Sequence, residues 1–263
     1  MPNWCYSTLK ANGPKARIAE FLAAIQGPAE ADGKPGRVLD FNRLIPMPEE
    51  VANTTAGSEA DDGLGILDPN AKESEYRLAV WRIAHHEPMF GTIDRENGPF
   101  PPRDMARAIL LASTQDSTMR CVKAAQVTME VRRKYQCDNW YDWSCKNWGT
   151  KWNACESIIE GTQEDGDNTI VQIRFETAWS WPEPVISKIT SLFPDLEFSG
   201  VSDEEGGFFW FDWSATGGVI TIVKEGRGYR EDQSLDPGED DDEPEAVIQP
   251  ATPESGSSPQ LNS

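Results

Sequence analysis

The chain opens on a two-residue alternation. Trp4, Tyr6 and Thr8 stand against Cys5, Ser7 and Leu9, which predicts a strand over residues 3–11. Gly13-Pro14 hands over to helical spacing: Ile18, Phe21, Leu22 and Ile25 share one face until Gly27-Pro28. Residues 29–37 read as loop, Val38 to Ile45 as a short extended piece ended by Pro46 and Pro48, and residues 49–65 as a polar, glycine-bearing loop. Three helices are then expected. Asp68 is placed to cap the first, over residues 69–85, whose inner side is Tyr76, Ala79, Val80 and Ile83. The second, near 102–113, uses Met105, Ile109 and Leu110. The third, over 117–135, aligns Val122, Ala125 and Met129 and ends in Arg132, Arg133 and Lys134, where cations complement the helix dipole.

Beyond residue 154 the period returns to two. A strand from Cys155 to Glu160 leads through Glu164-Asp165-Gly166-Asp167-Asn168 into a strand over Thr169 to Trp179. Pro182 and Pro184 start a helix with Val185, Ile186, Ile189, Leu192 and Phe193 on its apolar face, and Pro194 ends it. Leu196–Val201 and Gly207–Trp213 read as a hairpin, and Val219–Val223 as a last strand. With the middle block set aside, the order is strand, helix, strand, strand, helix, strand, strand. That is an α+β, ferredoxin-like split βαβ arrangement with additional C-terminal strands and a large helical insertion after the first helix. The expected divisions are 1–27 for the first strand and helix, 28–136 for the mainly helical insertion, 137–228 for an aromatic segment and the rest of the ferredoxin-like domain, and 229–263 for a tail.

Charge sharpens this picture. Residues 231–263 carry ten Asp/Glu and no Lys/Arg, half of the formal net charge of −20, which leaves −10 on residues 1–230. With hardly an aliphatic side chain to bury, that tail is expected to be disordered. So acidic a chain is not built to displace counterions from duplex DNA, and direct duplex binding is not expected; it suits a partner with a basic face. The N-terminus lacks a charged-then-apolar signal, and no apolar run is long enough for a membrane, so a cytoplasmic protein with reduced thiols is expected.

The candidate chemistry is thin. Cys137, Cys145 and Cys155 are spaced like no zinc or iron–sulfur pattern and are read as small buried hydrophobes. His85 and His86 are the only histidines. Asp165-Gly166-Asp167-Asn168 lacks the ligand order of a calcium loop and is read as a hairpin turn. No nucleophile, base, metal or cofactor site is singled out, so a non-enzymatic role is expected.

The aromatic segment is different. Of the ten tryptophans, Trp140, Trp143, Trp148 and Trp152 fall close together. Within it, Asn147-Trp148-Gly149-Thr150-Lys151-Trp152 offers rings and cations that could stack on a base, or rings that plug the end of a sheet. Trp179 and Trp181 lie two apart, as do Phe209, Phe211 and Trp213, and Phe208 and Trp210. If the sheet face opposite the helices is open, these rings would form an apolar interface patch. The candidate binding residues are Asn147, Trp148, Lys151, Trp152, Trp179 and Trp181.

Three segments carry a resemblance. Met1-Pro2-Asn3-Trp4-Cys5, Asn147–Trp152, and Phe175-Glu176-Thr177-Ala178-Trp179-Ser180 resemble signatures of the Api-ninety-two-like, or YubB-type, proteins of phages and conjugative plasmids. Ser7 stands where that family has Asn, and Trp181 where it more often has Pro. The resemblance spans the first strand and roughly residues 136–225. It implies a ferredoxin-like fold and a mobile-element protein in the bacterial cytoplasm, with no iron–sulfur cluster and no agreed activity. The resulting expectation is an accessory protein that binds a host protein, as in counter-defence, with its acidic tail mimicking nucleic acid. The alternative is a binder of a small nucleotide through the aromatic segment.

Overall fold

The computed structural model describes residues 2–29 and 35–230. The expected disordered tail lies outside the described residues, Tyr229 and Arg230 excepted. Along the chain, β1 (Trp4–Pro14) and α1 (Lys15–Ile25) are followed by the helices α2 (Phe41–Leu44), α3 (Glu49–Ala52), α4 (Ser58–Leu67), α5 (Glu73–Ala84), α6 (Arg103–Ala112), α7 (Asp116–Tyr135) and α8 (Trp140–Asn147). Then come β2 (Cys155–Asp165), β3 (Asn168–Ala178), α9 (Glu183–Leu192), β4 (Glu197–Glu204), β5 (Trp210–Thr216) and β6 (Val219–Gly226).

The first strand lies inside the sheet. β1 pairs antiparallel with β3, from Trp4↔Ala178 to Pro14↔Asn168, and with β4, from Cys5↔Glu204 to Asn12↔Glu197. The order of the six-stranded sheet is β2-β3-β1-β4-β5-β6. Its first four strands have the ferredoxin-like arrangement, and the β5–β6 meander extends it. The pleat sends Leu9, Ala11, Val171, Ile173, Phe175, Phe198, Trp213 and Ala215 to one face, where α1 and α9 supply Ile18, Phe21, Ile25, Val185, Ile186 and Ile189. Phe21 meets Phe193 and Phe198 edge-on, each at 5.6 Å between ring centroids. A second core joins α4, α5, α6 and α7 through Leu64, Leu67, Val80, Ile83, Leu110 and Ala125. The long α7 belongs to both: Ala125 lies in the second core and Val131 in the first.

Several local expectations change. Val38–Ile45 is not extended; Asp40 caps α2 by accepting the Asn42 N–H at 3.0 Å. Residues 49–65 are not a loop but hold α3 and most of α4. Gly63 and Gly65 hid α4, because glycine is a poor helix former. They are there for contact: a Cβ on Gly63 would stand 2.2 Å from the Cys121 carbonyl oxygen, and one on Gly65 would stand 2.6 Å from the Ala79 Cβ. α5 starts at Glu73, after Asp68 has closed a turn on the Asn70 N–H. The β2–β3 hairpin turns tightly at Gly166-Asp167, with Gly166 at φ +61°.

The open sheet face is also not the aromatic patch expected. Phe211 and Trp213 turn toward the helices, where Trp181 packs on both at 5.1 and 5.5 Å. The opposite face is polar over its middle, where Thr8, Lys10, Gln172 and Arg174 lie, with Glu160 accepting from Gln172 at 2.7 Å and pairing with Arg174 at 3.0 Å, and it carries Tyr6 and Trp210 toward one end.

Candidate functional site

The aromatic segment forms a corner at the end of the sheet where β1 begins and β3 ends. Asn139 starts α8, its side-chain oxygen accepting the N–H groups of Tyr141 and Asp142 at 2.9 and 3.0 Å. The helix ends at Trp148, whose backbone N–H reaches the Ser144 carbonyl. Gly149 then adopts φ +79°, and a Cβ there would meet the Pro184 Cδ at 2.8 Å, so both conformation and space require glycine. Four side-chain hydrogen bonds fix the run that follows. Thr150 donates to the Ala178 carbonyl at 2.8 Å, Ser180 to that of Gly149 at 2.6 Å, and Ser144 to that of Lys151 at 2.8 Å. Asn153 donates to Asp40 at 2.6 Å. The segment is thereby clamped between α2 and the sheet.

This clamp divides the expected site residues. Trp148 is buried, packs edge-on against Phe41 and Trp143, and donates its indole N–H to the Ile45 carbonyl at 2.9 Å. It is a core residue and has no face to offer a ligand. Trp181 packs in the main core with Phe211 and Trp213 and leaves the candidate site too. Asn147 serves α8, donating to the Trp143 carbonyl at 2.8 Å. Lys151, Trp152 and Trp179 do come together. The Lys151 ammonium lies 4.4 Å from the Trp152 ring centroid and 4.8 Å from that of Trp179.

Two further rings, absent from the expected set, complete the corner. Tyr141 stands 5.9 Å from the Lys151 ammonium and 6.3 Å from Trp179, and Trp4 stands 6.1 Å from Trp152. Trp179 is 43 % exposed and holds φ +71°, a left-handed conformation rare for a bulky side chain. Its N–H is held by the Asn3 carbonyl at 2.8 Å. Cys145, exposed rather than buried as expected, lies beside the Tyr141 hydroxyl, and partial desolvation pushes its thiol above the ordinary value. The three segments that carried the family resemblance thus meet here: Trp4 from the first, Lys151 and Trp152 from the second, Trp179 from the third.

Residues 147–240 match the family described as the ferredoxin-like domain in Api92-like protein. Over those residues the chain is similar to that family's domain. Among solved structures, the crystal structure of a protein api92 from Yersinia pseudotuberculosis aligns over 88 % of this chain and 99 % of that one, at 11 % identity and a TM-score of 0.38. Comparison with curated proteins gives no match. The Api92-like match contains Lys151, Trp152 and Trp179 of the corner, whereas Trp4 and Tyr141 come from outside it.

Away from the corner, a cleft of about 580 Å³ lies among the inserted helices, lined by Asp62, Asp68, Arg82, Arg132 and Asp138 among others. These charges pair with one another: Arg82 with Asp62 at 3.0 Å, and Arg132 with Asp68 at 2.8 Å and Asp138 at 2.6 Å. Burial pushes the Asp62 carboxyl up, against the pull of Arg82. No helix among the described residues is long and apolar enough to cross a membrane.

Proposed function

We propose that this chain is a non-enzymatic binding protein that docks a protein partner on the aromatic corner. In line with the family resemblance, it would be a phage or plasmid accessory product acting on a host protein, as in counter-defence. One observation carries the reading: Trp179 is kept half exposed in a strained backbone conformation. Such a conformation costs about 1–3 kcal/mol and persists where the surroundings over-determine it, often at functional sites. Exposed, rigid indole and phenol rings at low entropic cost are what binding hot spots are made of. Capture from bacterial lysate with the tagged chain, with and without nuclease, tests it. One stoichiometric protein should survive nuclease and be lost with Trp179→Gly. Capture that is indifferent to Trp179 would remove the corner from the reading.

A second reading, a small nucleotide, is favoured by the position of the Lys151 ammonium between two indoles, where a base could stack and a phosphate could pair. Tryptophan fluorescence against a nucleotide panel decides it. Absence of quenching at millimolar nucleotide would end it.

A further inference from the structure

The enclosure around Lys151 has the construction of a cation receptor, and the cation inside it belongs to the chain itself. The ammonium sits 4.4 Å from the Trp152 centroid, 4.8 Å from Trp179 and 5.9 Å from Tyr141, all within the ~6 Å reach of the cation–π attraction. The partners that hold it are ring faces. Three aromatic walls around one ammonium is the geometry by which proteins recognise quaternary and methylated ammonium groups. A primary ammonium is strongly hydrated, so a half-buried lysine such as Lys151 is a weak occupant of such a site.

We infer that this enclosure recognises a cationic side chain of a partner protein, an alkylated or methylated ammonium, and that Lys151 is a tethered occupant which the guest displaces. Charge complementarity supports the sign of the guest. Residues 1–230 are net −10, and Asp142 lies exposed on α8 next to Tyr141, with Lys146 the opposing charge one turn on. The backbone that carries the walls is pinned: Trp179 by its backbone N–H to the Asn3 carbonyl, Tyr141 by its backbone N–H to the Asn139 side chain, and the run through Trp152 by the bonds from Ser144 and Thr150. Removal of the Lys151 side chain would therefore leave the receptor standing and empty. The inference rests on the reading of the corner as a protein-docking surface and supplies the chemistry of what docks.

The test titrates the full chain with Nε-trimethyl-lysine, with its neutral tert-butyl isostere, in which C(CH3)3 replaces the trimethylammonium on the same side chain, and with AMP, following tryptophan fluorescence and indole N–H resonances. Wild type should bind trimethyl-lysine weakly. Lys151→Met and Lys151→Gln, which remove the charge, should bind it roughly tenfold more tightly, because a tethered competitor at millimolar effective concentration is gone. The neutral analogue should not bind, and adding Trp179→Gly should abolish the effect. An anion site behaves in the opposite way, with AMP bound by wild type and lost on replacing Lys151. That pattern, equal binding of the neutral analogue, or no saturable response in wild type and in either folded variant would overturn the inference. Loss of the captured partner in Trp179→Gly together with silence toward trimethyl-lysine would sink the cation chemistry alone. Capture that ignores Trp179 would sink the docking surface itself.

Discussion

Trp4 and Trp152 meet at 6.1 Å between ring centroids, although the whole helical insertion separates them in the chain. Their contact ties the start of the central strand to the loop that leaves α8. A double-mutant cycle with Trp4→Ala and Trp152→Ala should give a coupling of about 0.5–1.5 kcal/mol in denaturant unfolding, the range for aromatic pairs. Strict additivity would show that the two rings are neighbours without being partners.

Trp148 and Trp179 should respond in opposite ways. Trp148→Phe removes the donor to the part-buried Ile45 carbonyl and opens space beside Phe41, and should cost roughly 1–3 kcal/mol in chemical denaturation without touching the corner's ligands. Trp179→Gly relieves a positive φ while losing ring contacts, so its melting temperature should stay close to wild type while partner capture fails. A large loss of stability in Trp179→Gly would make that ring structural.

Gly63→Ala reverses the usual helix rule. In an exposed helix interior the change gains up to about 1 kcal/mol. Here the new methyl would stand 2.2 Å from the Cys121 carbonyl oxygen and 2.7 Å from the Ala125 Cβ. Overpacking of this kind costs about 1–3 kcal/mol, so net destabilisation is expected. A raised melting temperature would show that α4 and α7 can separate freely.

Alkali should weaken the fold through its buried thiols. Burial pushes the Cys5 thiol from 9.0 up to about 11, and Cys121 likewise up to about 11. A thiol raised in the folded state contributes its stability fully below the unfolded value and loses it as pH climbs through the folded one, here from pH 9 to about 11. For fully buried Cys5 this is on the order of 2 kcal/mol. Cys5→Ala should flatten the decline measured by denaturant titration across that window, and an unchanged slope would assign it elsewhere.

The acidic tail makes a separate prediction. If it mimics nucleic acid, deletion of residues 231–263 should weaken partner binding steeply at low salt and little at high salt, since exposed charges are screened over about 10 Å at 0.1 M. Unchanged affinity at low salt would dismiss the mimicry.

What was legible in the sequence was whatever carried a strong period. The alternation of β1 and β3 and the apolar stripes of α1 and α9 are written locally, and their order spelled the split βαβ topology; in α7 the inward face is instead Thr118, Cys121, Ala125, Thr128 and Val131, and Met129 is exposed. The short helices were not legible: α2 depends on one Asp40 cap, and α4 has its pattern broken by the two glycines that its packing requires. The site was half legible. Tryptophan density pointed to the right segment, but burial separates Trp148 from Trp152, and burial depends on Phe41 and Ile45, which are remote in sequence. Trp4 and Tyr141 were missed because only pairing of β1 with β3 brings Trp4 to Trp152, and only the cap at Asn139 brings Tyr141 to Lys151. Trp4 did sit in one of the three recognised segments, and their convergence was the available signal.

The placement of β1 has a consequence for how this chain is made. It leaves the ribosome well before both of its neighbours, β3 and β4, which come after the helical insertion. At translation rates of about 5–20 residues per second, it waits on the order of ten to forty seconds for the strand that completes its second edge. Until β3 appears a ribbon containing Trp4, Tyr6 and Leu9 has two vacant edges in a crowded cell, and until β4 appears it still has one. The nascent chain is then at its most vulnerable to mispairing, and a holding factor that shields β1 would have its greatest effect on yield before β4 appears.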